Sequence, residues 1–123
     1  MIVSFWHNNI SCNDLNEFGA LVNQQLSMDS AEIWISENGD TEECPCLAIL
    51  VNENGAYINY FGEDGSCHAS YGKDGDDAII PFCDGQYEVR SSQIISKQDA
   101  LRAILAFFQN KGRSDLIQWQ QIY

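Results

Sequence analysis

The sequence predicts an α+β fold in a single domain spanning residues 1–123: an antiparallel sheet of hairpins with two helices packed against it. Three observations carry that expectation. The apolar run Leu47-Ala48-Ile49-Leu50-Val51 leads through Asn54-Gly55 into the aromatic-rich Ala56–Phe61, the pattern of a central strand, a tight turn and a returning strand. A second strand–turn–strand pattern surrounds Asp84-Gly85. Two segments, one after Asp14 and one after Ser96, place apolar residues at helical spacing.

Taken in order, residues 1–6 read as a short strand. A helix follows with Asn13 or Asp14 as N-cap and Leu15, Phe18, Leu21, Val22 and Leu26 on one stripe. Glu32-Ile33-Trp34-Ile35-Ser36 has the β-branched and aromatic makeup of a strand, and the polar run Glu37–Glu43 after it reads as an acidic loop. Leu47–Val51 is apolar throughout, as a strand covered on both faces must be. Asn54-Gly55 predicts a type I′ turn, with positive φ at both residues. Gly62–Gly65 and Gly72–Asp77 bracket the segment Cys67–Tyr71. Ile79–Phe82 and Gln86–Val89 form the second hairpin, and Pro81, which has no N–H to donate, places its strand at an edge. Ser96-Lys97-Gln98-Asp99 resembles a capping box. The helix behind it puts Leu101, Ile104, Leu105 and Phe108 on one face, with Lys111 near its negative end and Gly112 as the expected left-handed terminator. In the closing segment Ile117 and Trp119 share one side of a strand.

The aromatic content (three Trp, five Tyr, six Phe) and 45% hydrophobic residues exclude a disordered acidic tail. A domain of this length buries roughly two-thirds of its unfolded surface, enough for an ordinary core. Five cysteines, an odd number in a chain able to fold without staples, point to a reducing compartment. The Met1–His7 stretch has no positive n-region, and no segment approaches the roughly 20 apolar residues of a membrane-spanning helix. The expected location is the cytoplasm.

Charge narrows the class of partner. The net charge is −12, and Lys and Arg are absent from the first 72 residues. Such a chain repels nucleic acid and anionic membranes and attracts what is basic.

Other chemistry is weighed against the same residues. Cys44-Pro45-Cys46 and Cys67-His68 invite a zinc site, but C-x-C leaves little room for two thiolates on one ion, and adjacent strand residues point to opposite sides. No metal and no cofactor are expected. A small cysteine-dependent hydrolase would need His7 or His68 within reach of a thiol and a third group to orient it, and no local signature surrounds any Cys; no catalytic residue is assigned. An EF-hand reading of Asn52–Gly55 or Asp74–Asp77 fails because Leu50 or Ser70 would occupy the first ligand position.

The ordered set Pro45-x-Leu47-x-Ile49, the Asn54-Gly55 hairpin, Tyr57–Phe61, the loop around Gly65, Ser70 and Gly72, the Asp84-Gly85 hairpin, Ala100-Leu101-x-x-Ile104-x-x-Phe107-Phe108, Lys111-x-Arg113 and Ile117-x-Trp119 resembles the first-numbered immunity-protein family of bacterial polymorphic toxin systems. The resemblance covers about two-thirds of the chain. Ser114 departs from it, since many relatives carry Pro after the Arg. The resemblance implies an immunity protein of contact-dependent inhibition or type VI effector systems. Such a protein is not an enzyme and binds the C-terminal toxin domain of a cognate effector; some relatives protect against toxins that deaminate or cut nucleic acid.

Charge supplies a mechanism for that role. A domain acting on nucleic acid presents a cationic groove to phosphates, and carboxylates opposite that groove would occupy it. The candidate contacts are Glu37, Asp40, Glu42, Glu43, Glu63, Asp64, Asp74, Asp76 and Asp77, with Tyr71 as aromatic anchor. An acidic DNA-mimic inhibitor of another nucleic-acid-binding protein is the alternative partner class.

Overall fold

The strand built on Leu47–Val51 lies at the middle of a seven-stranded sheet in the computed structural model, which describes residues 1–6, 8–39, 44–72 and 78–122. In chain order the elements are β1 (Ile2–Phe5), β2 (Asn8–Ser11), α1 (Leu15–Leu26), β3 (Ser30–Ser36), β4 (Cys46–Asn52), β5 (Gly55–Phe61), β6 (Cys67–Tyr71), β7 (Ile79–Phe82), β8 (Tyr87–Arg90), α2 (Lys97–Asn110) and β9 (Gln118–Gln121). The sheet runs β2-β1-β3-β4-β5-β6-β9, every pairing antiparallel, and β7-β8 forms a separate two-stranded ribbon. The predicted α+β class is the one observed. Strand β2 is additional to the sequence reading; its Asn-Asn-Ile-Ser makeup carries no strand pattern, and pairing to β1 holds it there.

Alternation along the strands sorts the two faces. Val3, Ile33, Ile35, Leu47, Ile49, Val51 and Ile58 point inward, where Phe18, Val22 and Leu26 of α1 and Ala100, Ala103, Ile104 and Phe107 of α2 cover them. Each fully buried Ile or Phe in this layer contributes about 1.5–3 kcal/mol of transfer free energy. On the outer face the β7–β8 ribbon packs Phe82 and Val89 over Leu50, with Tyr57, Ile80 and Tyr87 around them. That is why β4 is apolar at consecutive positions: one side meets the helices and the other meets the ribbon.

Helix α1 starts where predicted, with the Asp14 carboxylate accepting from the Asn16 N–H. Helix α2 starts at Ser96, whose hydroxyl accepts from the Asp99 N–H. Its buried face is turned from the expected one. Alanines 100 and 103 let the helix sit close on the sheet, while Leu101, Leu105 and Phe108 are half-buried at the flank. Phe108 meets Phe18 at 4.6 Å between ring centroids, so the large side chains serve the helix–helix seam. The helix terminator also differs. Lys111, not Gly112, takes the left-handed backbone (φ 55), and its N–H donates to the Phe107 carbonyl.

The first hairpin forms, but without a type I′ turn. Asn52 pairs with Gly55 across a Glu53–Asn54 loop, and neither loop residue has positive φ. The Asn52 side-chain oxygen instead accepts from the N–H groups of Asn54 and Gly55. Gly55 is needed for room rather than for φ, since a Cβ there would lie 2.6 Å from the Ile95 carbonyl oxygen. That carbonyl belongs to the connection from β8 to α2, which passes the end of the sheet from outer face to inner. Ala56 and Ile95 exchange backbone hydrogen bonds, and the Ser70 hydroxyl donates to the Gln93 carbonyl while accepting from the Ile58 N–H.

Candidate protein-binding surface

The register places the described candidate contacts at two ends of the sheet, the acids at one and Tyr71 at the other. Ser36, Cys46, Phe61 and Cys67 stand opposite one another in turn along one row. Glu37 follows the first of them and Glu63-Asp64 follows the third, so these three acids share an end. Tyr71 is four residues beyond Cys67 on β6, roughly 13 Å away at the usual strand rise, and borders the opposite end with Gly72. Tyr71 is therefore separated from Glu63 and Asp64, with which the sequence had associated it. It is also half-buried, in a depression lined by Ile94 and Leu116. Asp40, Glu42, Glu43, Asp74, Asp76 and Asp77 lie outside the described residues.

Two of the described acids have local duties. The Glu37 carboxylate accepts from the Lys111 ammonium, and that contact holds its pKa below the ordinary glutamate range. Asp64 accepts from both the hydroxyl and the N–H of Ser66, which lowers its pKa and shapes the β5–β6 turn. Both carboxylates are exposed, as is that of Glu63.

The thiols and the histidine separate as alternation demands. Cys67 pairs with Phe61 on the outer face, and His68 pairs with Tyr60 on the helix face. His68 is buried, with Nδ1 unpartnered among the described residues, and burial followed by the nearby Arg113 lowers its pKa. None of the five cysteines is in a disulfide. Burial raises the pKa of Cys12, Cys67 and Cys83, and it pushes Cys46 up to about 11 with help from neighbouring Cys44. These four are neutral thiols at physiological pH, the less reactive form. Among the described residues no three His, Cys, Asp or Glu side chains gather as a metal site.

The outer face of β3 holds an arrangement that sequence reading missed. Glu32 and Trp34 project there together, and the Glu32 Oε2 atom accepts from the Trp34 indole N–H at 3.0 Å and from the Tyr87 hydroxyl at 2.9 Å. Trp34 also lies parallel to Phe61, with ring centroids 6.1 Å apart and planes 11° from coplanar. Beyond them the turns joining β1 to β2 and β7 to β8 rise on either side and leave a cleft of about 430 Å³, lined by Ser4, Trp6, Glu32, Trp34, Asp84 and Gln86 among others. Trp6 is 73% exposed, the most exposed large apolar side chain described. The i, i+2 spacing of Glu32 and Trp34 could have shown that they share a face; the second wall, from the ribbon, had no local signal.

The described cations are concentrated on one part of the chain. Of the five described cations, Lys97, Arg102, Lys111 and Arg113 belong to α2 or the segment after it, and Arg90 ends β8. Lys97 donates to the Met28 carbonyl, Arg102 sits 3.8 Å from Asp99, Lys111 holds Glu37, and Arg113 stands 5.9 Å from the Tyr60 ring centre. None of them lines the cleft. Among the described residues, no helix is long and apolar enough to cross a membrane. No protein-family model matches the chain, and no curated protein matches it.

Proposed function

We propose that this chain is an immunity-type inhibitor that acts in the cytoplasm by binding the toxic domain of a cognate bacterial effector. The toxin acts on nucleic acid, and the inhibitor's acidic surface occupies the cationic groove meant for phosphates. The observation that carries this reading is the acidic balance of the chain, with its described cations concentrated at one helix. A net charge of −12 leaves carboxylates in excess over the chain as a whole, while the described cations gather around α2 and most are engaged there. An acidic surface of this kind speeds encounter with a basic partner, and a desolvated carboxylate–arginine pair within the contact adds several kcal/mol. The order of elements from Cys44 to Trp119, with its resemblance to the immunity family, supports the same role. Glu63 and Asp64, together with Glu42, Glu43, Asp76 and Asp77, are the proposed long-range attractors.

Co-expression with the product of the neighbouring upstream gene tests the proposal. The expected result is a stable complex with a basic domain whose activity on DNA or RNA is abolished. Capture of an unrelated nucleic-acid-binding protein, with no toxin activity to neutralise, would favour the DNA-mimic alternative. Capture of no basic protein would refute both.

A further inference from the structure

The cleft beside Trp34 has chemistry that selects one kind of side chain. Among the described residues its lining includes two indoles and two carboxylates, Glu32 and Asp84, and no lysine or arginine, so an anion finds no cationic partner among them. An uncharged apolar group would leave the carboxylates unmatched. A cation lying on an indole face satisfies both features, because the ring quadrupole and the carboxylate act in the same direction. A guanidinium fits better than an ammonium, since it is planar, stacks on aromatic faces and presents paired donors to a carboxylate.

The cleft is also preorganised for such a guest. The Trp34 ring is held by its hydrogen bond to Glu32 and by its stacking on Phe61, so little freedom is lost when a side chain lands on it. The two bonds that Glu32 accepts both fall on Oε2, and Oε1 takes no donor among the described residues. The rim is made of turns in uncommon backbone. Trp6, Cys83 and Asp84 have φ of 54, 53 and 57, a conformation that costs a non-glycine residue energy and keeps Trp6 turned out to solvent.

We propose that this cleft receives an arginine side chain of the basic partner, its guanidinium lying between Trp6 and Trp34 with Glu32 and Asp84 balancing its charge. The proposal rests on the reading of the chain as a binder of a basic protein, and it names where the short-range anchor sits. The exposed acids bring the partner in, and the cleft fixes its register.

The three tryptophans make the test internal. The full chain is titrated with N-acetyl-arginine amide, and with its neutral citrulline counterpart, while the indole N–H signals of Trp6, Trp34 and Trp119 are followed by NMR. Saturable shifts of Trp6 and Trp34 are expected on the order of millimolar ligand, with Trp119, on the helix face, unmoved. Citrulline should produce none. Glu32→Gln, which keeps the acceptor for Trp34 and Tyr87, should weaken binding about tenfold, as loss of one charge-assisted contact does. Trp6→Ala should weaken it comparably without touching the core, and Glu17→Gln on the helix side should change nothing. Equal shifts at all three indoles, an equal response to citrulline, or silence at tens of millimolar ligand would overturn the cleft. Because the probe needs no partner protein, that failure leaves the immunity reading standing. A responsive cleft with no basic protein captured on co-expression would instead sink the immunity reading, and with it the cleft's assignment to that partner, leaving only a guanidinium-binding cleft.

Discussion

Lys111 ends α2 in a left-handed backbone and carries its ammonium to Glu37, just past the end of β3. The pair ties the residue that caps the helix to the loop that leads into the central strand. Both side chains are exposed, so water screens the contact and its weight in stability is small. Its clearer signature is titration. The carboxyl of Glu37 should titrate below an ordinary glutamate in carbon-detected NMR, and Lys111→Ala should return it upward. A depressed folded pKa means the contribution is present above the unfolded value and is lost as pH falls through the folded one. A Glu37 carboxyl unmoved by Lys111→Ala would show that the pair does not persist in solution.

Gly55→Ala should destabilise the protein by about 1–3 kcal/mol, the usual scale of overpacking. The new methyl would lie 2.6 Å from the Ile95 carbonyl oxygen and 2.7 Å from Ile94 Cγ2, and the backbone contact cannot swing aside as a flexible side chain could. Urea denaturation measures the loss. An unchanged midpoint would mean that the β8–α2 connection is not pinned against the end of the sheet.

Alkylation should rank the thiols. Cys44 is exposed and should react first with iodoacetamide in the native protein at mildly alkaline pH. Cys83, half-buried, should follow, and Cys12, Cys46 and Cys67 should be slow. Cys46, with a pKa of about 11, is mostly thiol even at pH 9. Peptide mass spectrometry after timed quenching reads the order, and early labelling of Cys46 would contradict its burial.

Association with the proposed basic partner should slow at least tenfold, by the usual scale of electrostatic steering, between low and high ionic strength, while dissociation changes far less. Stopped-flow mixing across a salt series provides the measurement. An association rate flat in salt would remove steering from the mechanism.

How far the sequence foretold this molecule depends on whether the relevant force was local. The Leu47–Val51 run announced a strand covered on both faces because only double coverage tolerates consecutive apolar residues, and β4 is indeed central. Asp14 and Ser96 were legible as caps because capping acts over three residues. The turn at Asn54-Gly55 was misjudged since the glycine answers to Ile95, some 40 residues away, rather than to its own φ. The face of α2 was turned for the same kind of reason: periodicity finds a stripe, and alanine decides which part of it lies closest to the sheet. Of the candidate site, the acidic character was visible, but the distance between Tyr71 and Glu63-Asp64 depended on the β6 register, and the pairing of Glu32 with Tyr87 joins residues 55 apart.

The outermost strands of the sheet, β2 and β9, are four residues each, and asparagine, glutamine and serine make up most of both. Each presents only about 13 Å of free backbone to a passing chain, too short a rail for an extended peptide to be added as a further strand. Recognition by backbone pairing is thereby discouraged at both borders, against binding partners and against stray copies of the same chain. What such a molecule offers the outside is side chains, on its flat surface and its turns.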